Sequence, residues 1–415
     1  MAQPTDKKSI VILGGSYAGI STAHYVLKHV LPSLDSSYEV LLISASTQAF
    51  CRQACPRALL SDSYFPQEKL FVNMADQFTQ YPAASFRFLH GTVTALDTTT
   101  TRTVTISSPS SLTTPTTLPF HALVIATGAS TPSPLLGLSA TNDTSSLRAA
   151  WAAFRQALPS ARTIVVSGGG PSGVEVAGEL GAHLNPRTWR ASLPFFTPAP
   201  PRVAITLVTS APHLLPHLRP SIAAAAEAQL ARLGVSVLKS TRVVAPTAGA
   251  GGLAEPTTVV LASGAVIEAD LYVPCLGTTP NTGFVHDRAQ LLAPDGRVRT
   301  NPRTLRVDVA GAGARVYAVG DASDFARPAV HSALAAVPVL GANMKRDLLG
   351  AGEGEDRGFE EETREMQLVP IGPGRGVGAV MGYRVPSWFV WLLKGRDYWL
   401  WTTARTWSGE QFVKE

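Results

Sequence analysis

Two glycine-rich turns, about 150 residues apart, constrain most strongly what this 415-residue chain can fold into. The first lies in residues 9–19 and reads SIVILGGSYAG; the second lies in residues 163–173 and reads TIVVSGGGPSG. In each, a short apolar run leads into glycines and then into a helical pattern. Such a turn directs backbone N–H groups and a helix N-terminus at a pyrophosphate. The pair therefore predicts an α/β chain with two Rossmann-like dinucleotide-binding domains, one nucleotide being resident and the other exchanged.

The two turns differ at the middle glycine of the G-x-G-x-x-G pattern. The second turn has Gly168, Gly170 and Gly173, whereas the first has Ser16 between Gly14 and Gly19. The middle glycine normally lets the backbone approach the pyrophosphate closely. Ser16 therefore predicts a somewhat weaker nucleotide site.

Three further strand ends carry small or acidic residues suited to a nucleotide. The run LVIATG ends in Thr127 and Gly128, and the run ending at Gly277 resembles it. The run RVYAVGD ends in Gly320 and Asp321, just before a helix. We expect Asp321 to accept hydrogen bonds from a ribitol hydroxyl while the helix N-terminus faces phosphates or a flavin carbonyl.

The helix after the second turn carries two carboxylates, Glu175 and Glu179, on one face. Burying a charge without a purpose is costly. The sequence therefore predicts that Glu175, in the first turns of the helix, acts near a nicotinamide ring. After the next strand, Thr209 and Ser210 are neither the acid typical of NADH sites nor the arginine typical of NADPH sites, so both nucleotides stay open.

Cysteine and charge content exclude several other functions. Cys51 and Cys55 are spaced C-x3-C, a spacing that strains a disulfide, so free thiols and a reducing compartment are predicted. The histidines have no metal-ligand context, so no metal site is expected. A net charge of +5 without a Lys/Arg stripe predicts no specific nucleic-acid partner. The start lacks a secretory h-region, and no run is long enough to span a membrane.

The end of the chain is aromatic, with five of the seven tryptophans in residues 377–407. Three interpretations compete: a membrane-interface segment, a cover that builds a lipophilic pocket over a flavin, or simple closure of the core. Residues 107–119 and 185–202, rich in Pro, Ser and Thr, are predicted as long loops, the first of them disordered or a surface flap.

The chain carries, in this order, the two glycine turns, ATG, the GVE helix, LGTTPN, VGD and a tail with LLKGRDYW. With this set of motifs it resembles the AMID/ferroptosis-suppressor-protein branch of the apoptosis-inducing-factor family. This branch, including its fungal AIF-like members, belongs to the FAD-dependent pyridine nucleotide-disulfide oxidoreductases. The resemblance implies non-covalent FAD, NADH or NADPH, and reduction of a lipophilic quinone. A homodimer is compatible with it, as is a cytoplasmic protein that rests on lipid droplets, mitochondria or other membranes.

The resemblance also assigns residues. FAD would be held by Gly14, Gly15, Ser16, Tyr17, Ala18, Gly19, Arg57, Val93, Thr127, Gly128, Gly320 and Asp321. The nicotinamide nucleotide would lie on Gly168, Gly170, Ser172, Gly173 and Gly277, with Glu175 and Lys394 as catalytic residues. From the residues alone, Arg57 is either a cation near the flavin or a surface arginine.

The implied domains are residues 1–140 with 278–349 for FAD, 141–277 for the nicotinamide nucleotide, and a small α+β aromatic segment at 350–415. Two other functions stay open on the same scaffold: a fungal tailoring oxidoreductase and an NAD(P)H oxidase. A non-catalytic, nucleic-acid-binding signalling protein is the least favoured alternative.

Overall fold

The computed structural model describes residues 7–109, 111–138, 143–186, 200–248, 255–286, 288–350 and 355–412. The strands are β1 (Lys8–Leu13), β2 (Tyr38–Ser44), β3 (Gln48–Phe50), β4 (Phe71–Asn73), β5 (Phe86–His90), β6 (Thr92–Asp97), β7 (Thr103–Ser108), β8 (Ser111–Pro119), β9 (Ala122–Ile125), β10 (Ala129–Ser130), β11 (Thr163–Ser167), β12 (Ala204–Val208), β13 (Val235–Leu238), β14 (Val243–Ala248), β15 (Thr257–Leu261), β16 (Val266–Ala269), β17 (Leu271–Pro274), β18 (Thr279–Pro280), β19 (Val316–Ala318), β20 (Gln367–Pro370), β21 (Gly376–Val380) and β22 (Tyr383–Arg384). The helices are α1 (Tyr17–Tyr25), α2 (Cys55–Ala58), α3 (Gln67–Leu70), α4 (Thr144–Ala157), α5 (Pro171–Leu184), α6 (Pro220–Arg232), α7 (Arg288–Leu291), α8 (Val330–Leu349), α9 (Ser387–Val390) and α10 (Leu400–Trp407).

The first glycine turn belongs to a parallel sheet with the strand order β19-β9-β1-β2-β5. Its strands are apolar on both faces because both faces are covered. Ile10, Ile12 and Val40 pack on the side of α1 and α8, whereas Val11 and Leu41 pack against the antiparallel sheet β6-β7-β8. The continuous apolar runs in the sequence therefore reflect a three-layer sandwich.

The second glycine turn lies in a sheet built the same way. Strands β13-β12-β11-β17 are parallel. Ile164 and Val166 pack in the core with α5 and α6, and Val165 packs against the antiparallel sheet β14-β15-β16. The chain crosses between the two halves twice, at β10 and β18, which pair antiparallel. Two similar sandwiches are thus connected by these two crossings, and α2 of the first half also packs against α5 of the second.

The end of the chain covers both halves. Strands β20-β21-β22 form an antiparallel sheet that packs on α5 and α6. Helix α9 continues into a π-helical turn, Trp391–Gly395, and α10 packs on α1. Trp407 is buried against Tyr17, with ring centroids 4.5 Å apart, whereas Trp388, Trp391 and Trp401 are exposed. Core closure therefore explains only part of the aromatic content.

The prediction of a disordered loop or flap over residues 107–119 was wrong. Apart from residue 110, which lies outside the described residues, this stretch forms the end of β7 and all of β8, with Thr105 opposite Thr117. Its threonines are β-branched and favour strands. The prolines are tolerated because β8 is an edge strand. Most of the second predicted loop, residues 187–199, lies outside the described residues.

Candidate functional site

The first glycine turn brings three backbone segments almost into contact. Gly14 has φ +113°, and a Cβ there would lie 2.2 Å from the carbonyl oxygen of Ala126. A Cβ on Gly19 would lie 1.7 Å from the carbonyl oxygen of Gly14. Both distances are well inside van der Waals contact, so glycine is required at both positions. This packing brings the start of α1 against the end of β9.

Ser16 fits the turn better than the sequence suggested. It is exposed at the N-cap of α1, and its hydroxyl caps no backbone amide. At the matching position of the second turn, a Cβ on Gly170 would meet no atom within 4 Å. The protein therefore leaves room for a side chain here, and the Ser16 hydroxyl, which caps no amide in the described part of the chain, is available to a ligand.

An open cleft lies at this turn, with about 1320 Å³ of empty space, open solvent included. The predicted residues that line it are Gly14, Gly15, Ser16, Tyr17, Ala18, Val93, Thr127, Gly128, Gly320 and Asp321. Gly19 lies behind the turn. Residues that the sequence reasoning missed include Gln48, Phe50, Arg52 and Gln53. Their signal was weak, because β3 and the turn after it carry no motif.

Asp321 is an unpartnered carboxylate in this cleft. In the described part of the chain no group donates a hydrogen bond to it, and burial raises the pKa of its carboxyl against the influence of Arg52 and Arg297. Asp321 is partly buried, so a donor supplied by a ligand would offset the loss of solvation at its carboxylate. The hydroxyl groups of a ribityl chain are suitable donors. The cleft, the glycine cradle and Asp321 therefore fit a flavin dinucleotide.

Arg57, predicted near the flavin, does not line the cleft. Its Nε and Nη2 donate to Glu179 at 3.0 and 2.8 Å, and its Nη1 donates to the carbonyl oxygen of Arg396. It lies on α2, whose buried side packs against α5. The arginine that does face the cleft is Arg52, which donates to the carbonyl oxygens of Leu136 and Ala129. Of these two arginines, only Arg52 is placed to contact a ligand in the cleft.

The second glycine turn repeats the geometry of the first. Gly168 has φ +119°, and a Cβ there would lie 2.2 Å from the carbonyl oxygen of Cys275. The Cβ of a residue at 173 would lie 1.8 Å from the carbonyl oxygen of Gly168. Ser172 and Gly277 are exposed at this end of the sheet. The two predicted cradles are thus the same local structure used twice.

Glu175 and Lys394 are brought together although 219 residues separate them. Lys394 Nζ donates to Glu175 Oε1 at 2.6 Å and to the carbonyl oxygen of Leu368 at 3.1 Å. Both side chains are buried, 5% and 9% exposed. Burial raises the pKa of Glu175, and the ammonium of Lys394 acts in the opposite direction. The two predicted catalytic residues therefore form one neutral pair.

The cysteines are free thiols in the structure. Cys51 and Cys55 are buried, and burial raises the pKa of Cys51 to about 11. Cys55 is shifted in the same direction by burial. Thiols held this far from ionisation are poor nucleophiles at neutral pH.

Two features are absent from the described ranges. No three His, Cys, Asp or Glu side chains there are grouped so that they could ligate one metal ion. No helix there combines the length and apolar character needed to cross a bilayer.

Known sequences match most of the chain. A family model described as Pyridine nucleotide-disulphide oxidoreductase matches residues 8–338. Oxidoreductase phnG of Penicillium herquei is 54% identical over 99% of this chain and 98% of its own length. Ferroptosis suppressor protein 1 of Homo sapiens is 25% identical over 96% of this chain and 95% of its own length. The higher identity to phnG means that the ferroptosis-suppressor branch itself is not established.

Solved structures confirm the predicted fold class. One similar structure is NDH2 of Plasmodium falciparum, solved in complex with RYL-552, with a TM-score of 0.65 and 14% sequence identity. The match covers 98% of this chain and 100% of the NDH2 chain. The chain spans only 60% of Bacillus anthracis CoADR-RHD and 63% of the A. fulgidus NAD-dependent persulfide reductase. At such identities the likeness concerns the fold alone, an α/β fold with two Rossmann-like domains.

Proposed function

The chain belongs to the pyridine nucleotide-disulphide oxidoreductase family, and from this premise we propose that it is an NAD(P)H:quinone oxidoreductase. Membership makes it an NAD(P)H-dependent flavoprotein with FAD as its cofactor. The proposal adds the acceptor. NAD(P)H, one proton and a quinone would give NAD(P)⁺ and a hydroquinone, so that two electrons and two protons reach the quinone.

FAD would occupy the cleft at the first glycine turn. Bound there, it would accept a hydride from NAD(P)H and pass two electrons to the acceptor. The amides of the turn and the start of α1 would face its pyrophosphate, joined by the free hydroxyl of Ser16. Asp321 would accept from ribityl hydroxyls, and Arg52 would add a cation. The NAD(P)H pyrophosphate would lie on Gly168, Gly170, Ser172 and Gly173, close to Gly277.

The pair of Glu175 and Lys394 carries the proposal. Helix α5, which begins at the second cradle, presents Glu175; the turn Trp391–Gly395 presents Lys394. A buried ion pair at this junction keeps water out and holds a cation in fixed position. A fixed cation of this kind favours negative charge that develops beside it and can polarise a quinone carbonyl. Glu175 would orient the nicotinamide and hold the ammonium.

The acceptor is inferred from the segment that carries Lys394. Its inner side holds the ammonium, and its outer side exposes Trp388, Trp391 and Leu392 at helical i, i+3, i+4 spacing. A lipophilic, carbonyl-bearing molecule matches both sides. A disulphide acceptor is disfavoured, because Cys51 and Cys55 are buried thiols with raised pKa. The resemblance to the ferroptosis-suppressor branch, at 25% identity, supports a quinone.

We also propose peripheral contact with a membrane through this face. Trp388 is 63% exposed and Trp391 38%, and Arg375, Arg384 and Arg396 are exposed in the same part of the sequence. Tryptophan side chains favour the headgroup region, and arginines favour anionic lipids. The enzyme would then be cytoplasmic and collect its quinone from the bilayer.

A second candidate is a fungal tailoring oxidoreductase on the same scaffold. The 54% identity to an enzyme named only as oxidoreductase favours it, because this match is higher than the one to ferroptosis suppressor protein 1. Both candidates use the same two cradles and the same buried pair.

An acceptor panel separates the candidates. Purified holoenzyme is mixed with NADH or NADPH and then with a short-chain ubiquinone analogue, a polycyclic aromatic quinone, or oxygen followed with an electrode. The proposal expects the ubiquinone analogue to give the highest kcat/KM. Turnover with oxygen alone would indicate an oxidase, and preference for the polycyclic compound would indicate the tailoring enzyme.

A further inference from the structure

Tyr398 connects three parts of the chain. Its side chain is fully buried, and its hydroxyl donates to Glu179 Oε1 at 3.0 Å. Glu179, on α5, accepts hydrogen bonds from Nε and Nη2 of Arg57 on α2. The Tyr398 amide donates to the carbonyl oxygen of Lys394 at 2.6 Å. One side chain therefore links the first half, the second half and the C-terminal segment.

The backbone at Tyr398 is held in an unusual conformation. Tyr398 has φ +53° and Trp399 has φ +66°, the left-handed region that side chains rarely adopt. Two such residues in succession persist only where their surroundings hold them, and such backbone clusters at functional sites. Here the Glu179 bond holds the side chain, and the Cys51 thiol contacts the Tyr398 carbonyl oxygen at 3.6 Å.

The strained turn packs against the Lys394 ammonium. Lys394 Nζ lies 5.8 Å from the ring centroid of Tyr398 and 5.1 Å from that of Trp399. The guanidinium of Arg57 lies 4.9 Å from the Tyr398 ring. Rotation of the Tyr398 ring would therefore move one wall around the Lys394 ammonium.

We propose that Tyr398 is a positioning residue, fixed by the Glu179–Arg57 pair, that holds the Lys394 ammonium against Glu175. The inference rests on the proposed function, because it takes the Lys394–Glu175 pair as the acting part. If the contact between α2, α5 and the C-terminal segment served stability alone, it would need no charges, because well-packed apolar residues can replace buried ion pairs with little loss of stability. Two ion pairs on one face of α5 argue for placement of a charge.

The test compares Tyr398→Phe with Tyr317→Phe. Tyr317 is a matched control: it too is fully buried, and its hydroxyl donates to a carboxylate, Asp347, that also binds an arginine, Arg306. We expect both variants to bind FAD and unfold at similar temperatures. In single-turnover experiments Tyr398→Phe should slow flavin reduction by NAD(P)H about tenfold, with nucleotide Kd unchanged. Tyr317→Phe should keep the wild-type rate.

A double-variant cycle shows whether Tyr398 acts through Lys394. If it does, Tyr398→Phe combined with Lys394→Met should be no slower than Lys394→Met alone. The proposal would be overturned if the double variant showed the product of the two single-variant rate losses. It would also be overturned if Tyr398→Phe and Tyr317→Phe had equal rates. Should Tyr398→Phe fail to fold, Arg57→Lys replaces it, because lysine keeps the charge but not the paired bonds to Glu179; a wild-type rate there would also overturn the proposal.

The flavin midpoint potential gives a readout without turnover. Titration with dithionite needs no nucleotide, so it tests the positioning even if the proposed function is wrong. We expect a lower potential in Tyr398→Phe than in Tyr317→Phe, because a loosely held ammonium favours added negative charge less. Equal potentials would contradict the inference. Failure of NAD(P)H to reduce the wild-type flavin would instead count against the proposed function.

Discussion

At the scale of single residues, substitutions in the buried pair of Lys394 and Glu175 should affect stability and catalysis differently. Breaking a buried ion pair from one side leaves an unpaired charge, which costs about 3–5 kcal/mol. Removing both charges together avoids that cost. The same two substitutions should have no such compensating effect on the reaction, because the fixed cation itself is lost.

Glu175→Gln should therefore lower the free energy of unfolding, and adding Lys394→Met should restore most of it. Flavin reduction by NAD(P)H should be slower by roughly 10- to 100-fold in both variants, because alignment is lost. Urea unfolding measures the first quantity and stopped-flow absorbance the second. Recovery of the rate together with the stability would remove the pair from the mechanism.

The glycine turns give a second prediction with a built-in control. Gly19→Ala places a Cβ 1.7 Å from the Gly14 carbonyl oxygen, whereas Gly170→Ala meets no protein atom within 4 Å. The first variant should lose FAD, because the cradle must open to admit the methyl group. The second should keep its FAD and at most bind NAD(P)H more weakly. The flavin-to-protein ratio after gel filtration measures the difference; equal ratios would contradict this account of the cradle.

At the scale of elements, the contact between α10 and α1 depends on a neutral histidine. His24 is buried on α1, where its ring nitrogens contact the Tyr81 hydroxyl and the Trp407 carbonyl oxygen and its ring stacks on Phe78. Burial lowers its pKa to about 4, with Lys28 adding to the shift and the Trp407 carbonyl opposing it. The unfolded chain, with a pKa near 6.5, binds the proton more readily.

Stability from this group is fully present above pH 6.5 and is lost as the pH falls towards 4, a loss of about 3 kcal/mol in total. Between pH 7.5 and 5.0 we expect His24 to contribute a fall of about 2 kcal/mol in the free energy of unfolding. Urea titrations at the two pH values measure it. His24→Gln should show a correspondingly smaller fall; an unchanged fall would assign the pH dependence to other groups.

The segment of α9 and its π-helical turn gives a prediction about membranes. Trp388→Ser combined with Trp391→Ser should abolish co-sedimentation with anionic vesicles, because the interfacial side chains are gone. Val266→Ser, which removes another exposed apolar side chain, serves as the control. Binding of the wild type should weaken as salt is added, through screening of the arginines. Equal sedimentation of both variants would rule out this face.

Local signals explain which elements the sequence could predict. The cradle at Gly14 and Gly19 is encoded within a few residues, so its motif could be identified directly. The strand β8 was missed because its threonines and prolines resemble low-complexity sequence, and only pairing with β7 makes it a strand. Arg57 was proposed and Arg52 was not considered, because nothing in the sequence shows which arginine faces the cleft.

At the scale of the whole molecule, the parts that act lie far apart in the sequence. Tyr398 and Glu179 are separated by 219 residues, and no sequence pattern predicts the hydrogen bond between them. Glu175 was predicted from its place on the helix and Lys394 from a resemblance, whereas their contact required the fold. We propose that residues 1–140 with 278–349 bind FAD and that 141–277 bind NAD(P)H, with residues 350–415 covering both.

The central claim is that one chain holds a flavin and receives a hydride from a visiting nicotinamide nucleotide. The most direct test is the visible spectrum of the purified protein under anaerobic conditions, before and after addition of NADH or NADPH. The account predicts a yellow protein whose flavin absorption bleaches on addition of nucleotide and returns when a quinone follows. A protein that takes up no FAD, or whose bound flavin neither nucleotide bleaches, would contradict it.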